Sequence, residues 1–282
     1  MLVNNTPLET YQLNGIPILV KREDLCAPFP GPSFSKMRGV VAHIEARDEK
    51  FIGVLDTFHS KAGWCVSYVC QQLGKVAVNF WPRYKADPAE GFPRKQQQYA
   101  HGFGAQMVTL QAGRSSVLFH QAKKQLAAGW SDSYLMPNAL KLPESITENA
   151  VEAERTCLLG NIPLTGILVL SISSGTVAAG VLKGFHYAGF LKNYQVILHM
   201  GYSRSEEATR KYIESCVGFP LGPNIQFVDE GYGYADAARD IDVPFPCNKF
   251  YDAKAWKFLS KPEVLAGLVA TGKPIVFWNI GD

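Results

Sequence analysis

A chain of 282 residues, 47% hydrophobic and 19% charged, can bury a substantial core as one large domain or two intimate ones. Its formal charge of +3, with no like-charge block longer than Lys21-Arg22 or Lys123-Lys124, gives no electrostatic argument for a nucleic-acid partner. The first residues lack a basic region followed by an apolar core, and no stretch approaches the roughly 18 apolar residues of a membrane span, so a cytoplasmic protein is expected.

In chain order, the region 21–25 reads as a strand, followed by a Pro-rich loop at 28–32 and a helix that begins near Lys36. From residue 51, short β-rich runs alternate with segments of helical period. They are a strand at 51–55, a helix at 61–73, a strand at 75–80, a strand at 105–110 and helices near 114–127 and 144–159. A strand at 166–170, a helix after Ser174, a strand at 195–199, a helix at 205–217 and a strand at 224–228 continue the pattern. Strands without polar alternation, such as 166–170 and 195–198, are expected to be buried on both faces, hence a parallel sheet covered by helices. The six cysteines (26, 65, 70, 157, 216 and 247) show no Cys-x-x-Cys pair, which argues for free thiols.

Four constellations carry chemistry. The first is Lys21-Arg22-Glu23-Asp24-Leu25 followed by Pro32-Ser33-Phe34-Ser35-Lys36-Met37-Arg38. Lys36 stands at a helix mouth, where the positive end of the helix dipole disfavours the ammonium form and helps the amine attack an aldehyde. The second, Asp56-Thr57-Phe58-His59-Ser60-Lys61-Ala62-Gly63, joins a strand end to a helix start, where free amides suit a carboxylate. The third, Ser171 to Gly180, is a small-residue turn between strand 166–170 and a helix. There the backbone amides and the hydroxyls of Ser173, Ser174 and Thr176 can converge on a phosphate. It lacks Gly-x-Gly-x-x-Gly spacing, which argues against a dinucleotide. The fourth is the tail, Val228-Asp229-Glu230-Gly231-Tyr232-Gly233 with the closing 277–282.

Thr6-Pro7-Leu8, the Lys-Arg-Glu-Asp-Leu run and Ser-Lys-x-Arg together resemble the N-terminal signature of pyridoxal-5′-phosphate (PLP) enzymes of fold type II, the tryptophan-synthase-β-like class. The other three constellations follow in the order that class has. Nearest is the 1-aminocyclopropane-1-carboxylate deaminase and D-cysteine desulfhydrase branch. The resemblance implies an α/β fold of two open, mostly parallel twisted sheets covered by helices, with PLP in the cleft between a large domain (1–40 and 148–282) and a small one (41–147). It implies that Lys36 forms the Schiff base and then moves the proton. Ser173, Ser174, Gly175 and Thr176 match the phosphate cup, with Ser174 replacing a glycine. Ser60 falls on the family's serine that meets the substrate carboxylate or the quinonoid intermediate, and Lys61 on an asparagine that touches the cofactor. Tyr232 matches a Tyr-Gly loop beside the cofactor, with Tyr234 a second candidate. In the closing segment Ile280 stands where the family has a threonine near the pyridine nitrogen, so Glu230 is the candidate partner of that nitrogen.

The family default is a lyase or deaminase that acts on a small amino acid through an external aldimine and a carbanion. The altered Ser60-Lys61-Ala62 loop points away from the usual substrate. The alternatives are decarboxylation of an amino acid carried on a modified nucleotide or DNA base, as in phage thymidine hypermodification, and a non-catalytic descendant that keeps the fold for binding. A homodimer is the family's common state.

Overall fold

The computed structural model describes residues 2–57, 59–88, 90–111, 113–160 and 162–281, and its chain divides into two compact units. Unit 1 comprises residues 1–29, 33–39 and 143–282, and unit 2 comprises 30–32 and 40–142.

Unit 1 is built on a six-stranded sheet. β1 (Leu8–Leu13) and β2 (Ile16–Arg22) form an antiparallel hairpin. Asn14 and Gly15, both at positive φ (50° and 81°), make the tight turn that this pairing requires. β2 stops at Arg22, and Glu23–Leu25, expected as strand, forms a single 3-10 turn. β7 (Gly166–Ile172), β8 (Tyr194–Met200), β9 (Ile225–Val228) and β10 (Ile275–Asn279) complete the order β1-β2-β10-β7-β8-β9, every pairing after the hairpin being parallel.

The uninterrupted apolar runs are buried on both faces, as their composition demands. Leu168, Leu170, Val196 and Leu198 join one core with α6 (Thr176–Tyr187) and α7 (Glu206–Val217). Ile167, Val169 and Ile197 join the other with α8 (Asp252–Leu259) and α9 (Pro262–Val269). Each such fully buried aliphatic side chain contributes about 1.5–3 kcal/mol relative to exposure. α5 (Pro143–Leu158) lies against α6, where a Cβ on Gly184 would sit 2.3 Å from the Ala150 carbonyl, so the crossing requires glycine.

Unit 2 carries a four-stranded, all-parallel sheet of order β5-β4-β3-β6, formed by β3 (Phe51–Leu55), β4 (Val76–Arg83), β5 (Gln106–Gln111) and β6 (Ser133–Leu135). Its helices are α2 (Ala62–Gln72), α3 (Lys95–Gly102) and α4 (Ser115–Gly129). α4 closes one core through Leu118, Ala122 and Leu126 against Leu55, Val78 and Phe80. α1 (Lys36–Glu45) starts in unit 1 and continues into unit 2. Among the described residues no helix is long and apolar enough to cross a membrane.

Candidate active site

The N-terminal signature is a buried charge network. Lys21 Nζ reaches Glu152 Oε1 at 2.8 Å and the Thr6 carbonyl at 2.7 Å. Arg38, two residues after Lys36, grips Glu23 with two guanidinium nitrogens at 3.0 and 3.1 Å, and its Nη2 lies 3.6 Å from Glu152 Oε2. Arg22 pairs with Asp24 at 2.7 Å, and Asp24 accepts from Asn279 Nδ2 at 2.9 Å. Burial pulls the Lys21 amine down, with the Glu152 charge opposing it. A buried charge is tolerated only when paired and hydrogen-bonded, so every charge of the Lys-Arg-Glu-Asp run needs its partner. Together these pairs fix β2, α5 and the first turn of α1, and so the place of Lys36.

The closing segment fastens the same loop from the other side. Ser35 N donates to the Ile280 carbonyl at 2.9 Å, and Gly281 bridges to Phe34. At φ +143° Gly281 has no room for a side chain, since a Cβ would sit 2.0 Å from the Ser33 carbonyl. Asp282 lies outside the described residues.

Lys36 opens α1, and its Nζ hydrogen-bonds Ser174 Oγ at 3.3 Å. Ser174 Oγ lies 3.1 Å from Thr176 Oγ1, which lies 3.0 Å from the Tyr212 hydroxyl of α7. Gly175, at φ +84°, turns the chain from β7 into α6, and a Cβ there would meet Tyr212 and Ile213 within 3.2 Å. The amine, three hydroxyls and the first amides of a twelve-residue helix thus converge. That set of donors is what a phosphate monoester needs. Ser173 hydrogen-bonds with Tyr251, whose phenol is pushed up by burial. Sequence reasoning missed Tyr212 and Tyr251; both come from distant segments and carry no local motif.

Both oxygens of Glu230 have partners within the protein. Its Oε2 accepts from His199 Nε2 at 2.8 Å and its Oε1 pairs with Lys261. Burial would raise its carboxyl, but those two hydrogen bonds outweigh burial and hold it at about 2. Tyr232 lies over Lys254 Nζ, 4.6 Å from the ring centroid, and its carbonyl accepts from Ser203 N at 2.8 Å. Lys254 is buried, donates to the Gly201 carbonyl, and is pulled down by burial. Tyr234 is exposed and packs edge-on to Tyr202. Asp252, 2% exposed at the start of α8, accepts from Ile280 N at 3.2 Å through its Oδ1.

In unit 2, Ser60 Oγ accepts from Ala62 N at 3.0 Å and Ser60 N donates to the Thr57 carbonyl at 3.1 Å, which closes the loop into α2. Lys61 is the residue before the helix, its Nζ 5.5 Å from the Trp64 ring, and Trp64 stacks on Tyr99 at 4.3 Å. His59 is buried.

Among proteins of recorded activity, the chain is 68% identical over all 282 residues to a protein called glycyl-dTMP PLP-dependent decarboxylase from Pseudomonas phage M6, covering 100% of both chains. No family model matches. Among solved structures, a homologue of ACC deaminase superposes with TM-score 0.77 at 15% identity over 99% of this chain and 90% of that one. Diaminopropionate ammonia lyase of Escherichia coli superposes with TM-score 0.66 at 15% identity, over 99% of this chain and 84% of that one. A PLP-dependent aspartate racemase gives 0.67 at 13% identity, over 98% and 90%.

Proposed function

Because the chain belongs to the PLP-dependent enzymes of fold type II, we propose that it decarboxylates a glycyl group carried on a thymidine nucleotide. The observation that carries this reading is identity of 68% along the whole length of the phage M6 decarboxylase of glycyl-dTMP.

The residues present fit the cofactor. Ser173, Ser174, Gly175 and Thr176, with Tyr212 behind them, would hold its phosphate, and Lys36 would hold its aldehyde carbon. Bound there, PLP supplies an electron sink for the pair left on the α-carbon when the bond to the carboxylate breaks. The Lys36 amine then delivers the proton that replaces carbon dioxide at that carbon, and Ser174 Oγ orients it. Asp252 is the carboxylate we assign to the pyridine nitrogen. It touches Ile280, the residue aligned with the family's partner of that nitrogen, whereas Glu230 is engaged by His199 and Lys261. A carboxylate there keeps the ring protonated and strengthens the sink.

Lys61 is better suited to the nucleotide's phosphate than to the departing carboxylate. A cation on the carboxylate would stabilise the ground state and lose that attraction as neutral carbon dioxide forms, which raises the barrier. Ser60, a neutral donor, can orient the carboxylate without this penalty.

The test is incubation of the purified protein with glycyl-dTMP, free and within an oligonucleotide, scoring carbon dioxide against ammonia and keto acid. Carbon dioxide in step with loss of the substrate's carboxyl, and an amine that remains on the nucleotide, is the expected result. Ammonia and keto acid without carbon dioxide would replace decarboxylation by the lyase or deaminase chemistry.

A further inference from the structure

Asp56 directly follows β3, is 0% exposed, and lies under the first turn of α2. Its carboxyl faces the Asn79 side chain of β4 and the backbone amides of Thr57 and Gly63, the two ends of the loop that carries Ser60 and Lys61. The fit around it is close. A Cβ on Gly63 would sit 2.2 Å from Asn79 Nδ2 and 2.7 Å from Asp56 Oδ2, so only glycine lets the helix start rest on this pair. Asn79 is likewise 0% exposed. Among the described residues no cation forms an ion pair with Asp56, and the Asp56 and Asn79 polar atoms make no well-aligned hydrogen bond. Nothing in packing requires an acid at this point, because a buried carboxyl without a paired cation is costly.

We propose that Asp56 is a positioning residue for the Ser60–Lys61 loop, drawing the Thr57 and Gly63 amides to one buried point and thereby setting where the two loop side chains stand. The inference rests on the reading of that loop as the seat of the substrate's anionic groups. The charged form does the work: an ionised carboxylate attracts two amide hydrogens that a neutral acid holds weakly. Burial pushes the carboxyl up to about 7, with Asn79, the Gly63 amide and Arg94 opposing. The loop is therefore clasped above that pH and loosened below it. The charged and titratable neighbours are few. β3 carries none and α2 no charged side chain, only Cys65, Tyr68 and Cys70. β4 carries Arg83 at its end, α3 is preceded by Arg94, and the loop itself carries His59 and Lys61.

Asp56→Asn keeps size and polarity and removes the charge. In the PLP-loaded enzyme it should raise KM for glycyl-dTMP about tenfold, the order of one charge-assisted hydrogen bond, with kcat changed less than about threefold. Amide hydrogen exchange of segment 57–63 in the same variant should accelerate about tenfold while β3 and β4 keep their protection. Unchanged exchange in 57–63 overturns the proposal whatever the kinetics. Accelerated exchange with unchanged KM keeps the clasp and overturns the assignment of the loop to the substrate, so the two failures are distinct. The wild-type protein gives a second measurement that needs no variant. Its protection factors in 57–63, taken against the intrinsic exchange rate at each pH, should fall and its KM should rise as pH falls through about 7, and flat profiles of both between about pH 6 and 8 overturn the proposal.

Discussion

Two turns, β7 into α6 and β3 into α2, each lead from a parallel strand to a helix start and treat charge in opposite ways. At the first, the hydroxyls of Ser174, Thr176 and Tyr212 and the Lys36 amine surround the helix start, and the acids of unit 1 nearby in sequence to Lys36 are bound to their own cations. At the second, a fully buried acid lies beneath the helix start, its carboxyl facing the amides on either side of the loop. A helix start ringed by hydroxyls and an amine is suited to an external dianion. One that holds an internal carboxylate has spent part of that attraction on shaping its own loop, which leaves side chains to meet the ligand.

The comparison is broken most severely at Lys36. Lys36→Ala should lower turnover by about a thousandfold or more, the scale of a lost proton-transfer group, and borohydride should no longer fix cofactor to the peptide that contains residue 36. Retention of a reducible cofactor bond elsewhere would show that the amine at the first turn is not the one that matters.

Next is the pairing of charge in unit 1. Arg38→Met leaves Glu23 buried without its bidentate partner, and should cost about 3–5 kcal/mol of stability in a urea titration. A loss under about 1 kcal/mol would mean that the signature's charges do not anchor α1.

A finer test addresses the cup itself. Thr176→Val removes the hydroxyl between Ser174 and Tyr212 and should weaken PLP binding about tenfold, the loss of one charge-assisted hydrogen bond of about 1.5 kcal/mol. Equilibrium titration of apo protein with PLP measures it, and unchanged affinity would count against the cup.

What the sequence displays of all this follows from the range of the interactions. β3-α2-β4 and β7-α6-β8 are legible because each run buries itself with its own period, and Gly166 to Ile172 is apolar on both faces. β10 is short and takes its meaning from β2 and β7, far away in the chain. α8 and α9 are eight residues each, and α8 buries Asp252 and Lys254, which a helical-period reading assigns to solvent. The small residues at 173–176 announce a turn that can cradle an anion. Tyr212, Tyr251 and Asp252 reach the same neighbourhood only through tertiary packing, and the acid at Asp56 reads in sequence as the first polar residue after a strand. The Lys-Arg-Glu-Asp run is visible as a signature, but its partner Glu152 lies on α5, so its role as a paired network is a property of the fold.

The smallest expected effect separates Glu230 from Asp252. Glu230 titrates below its unfolded value of 4.5 because the His199 and Lys261 hydrogen bonds outweigh burial, and stands at about 2. A depressed carboxyl stabilises the fold fully above the unfolded value, and that contribution fades as pH falls toward about 2. Lys261 is partly exposed, so solvent screens the pair, and Glu230→Gln should cost only about 1 kcal/mol at neutral pH and progressively less in acid, read from urea midpoints at several pH values. If Glu230 serves only to tie the 229–233 loop to His199 and Lys261, the variant should leave the visible spectrum of bound PLP and the rate of carbon dioxide release within about twofold. Asp252→Asn, at the residue touching Ile280, should alter both. A spectrum that changes with Glu230→Gln and not with Asp252→Asn would return the pyridine nitrogen to Glu230 and show that its ion pair opens when the cofactor is bound.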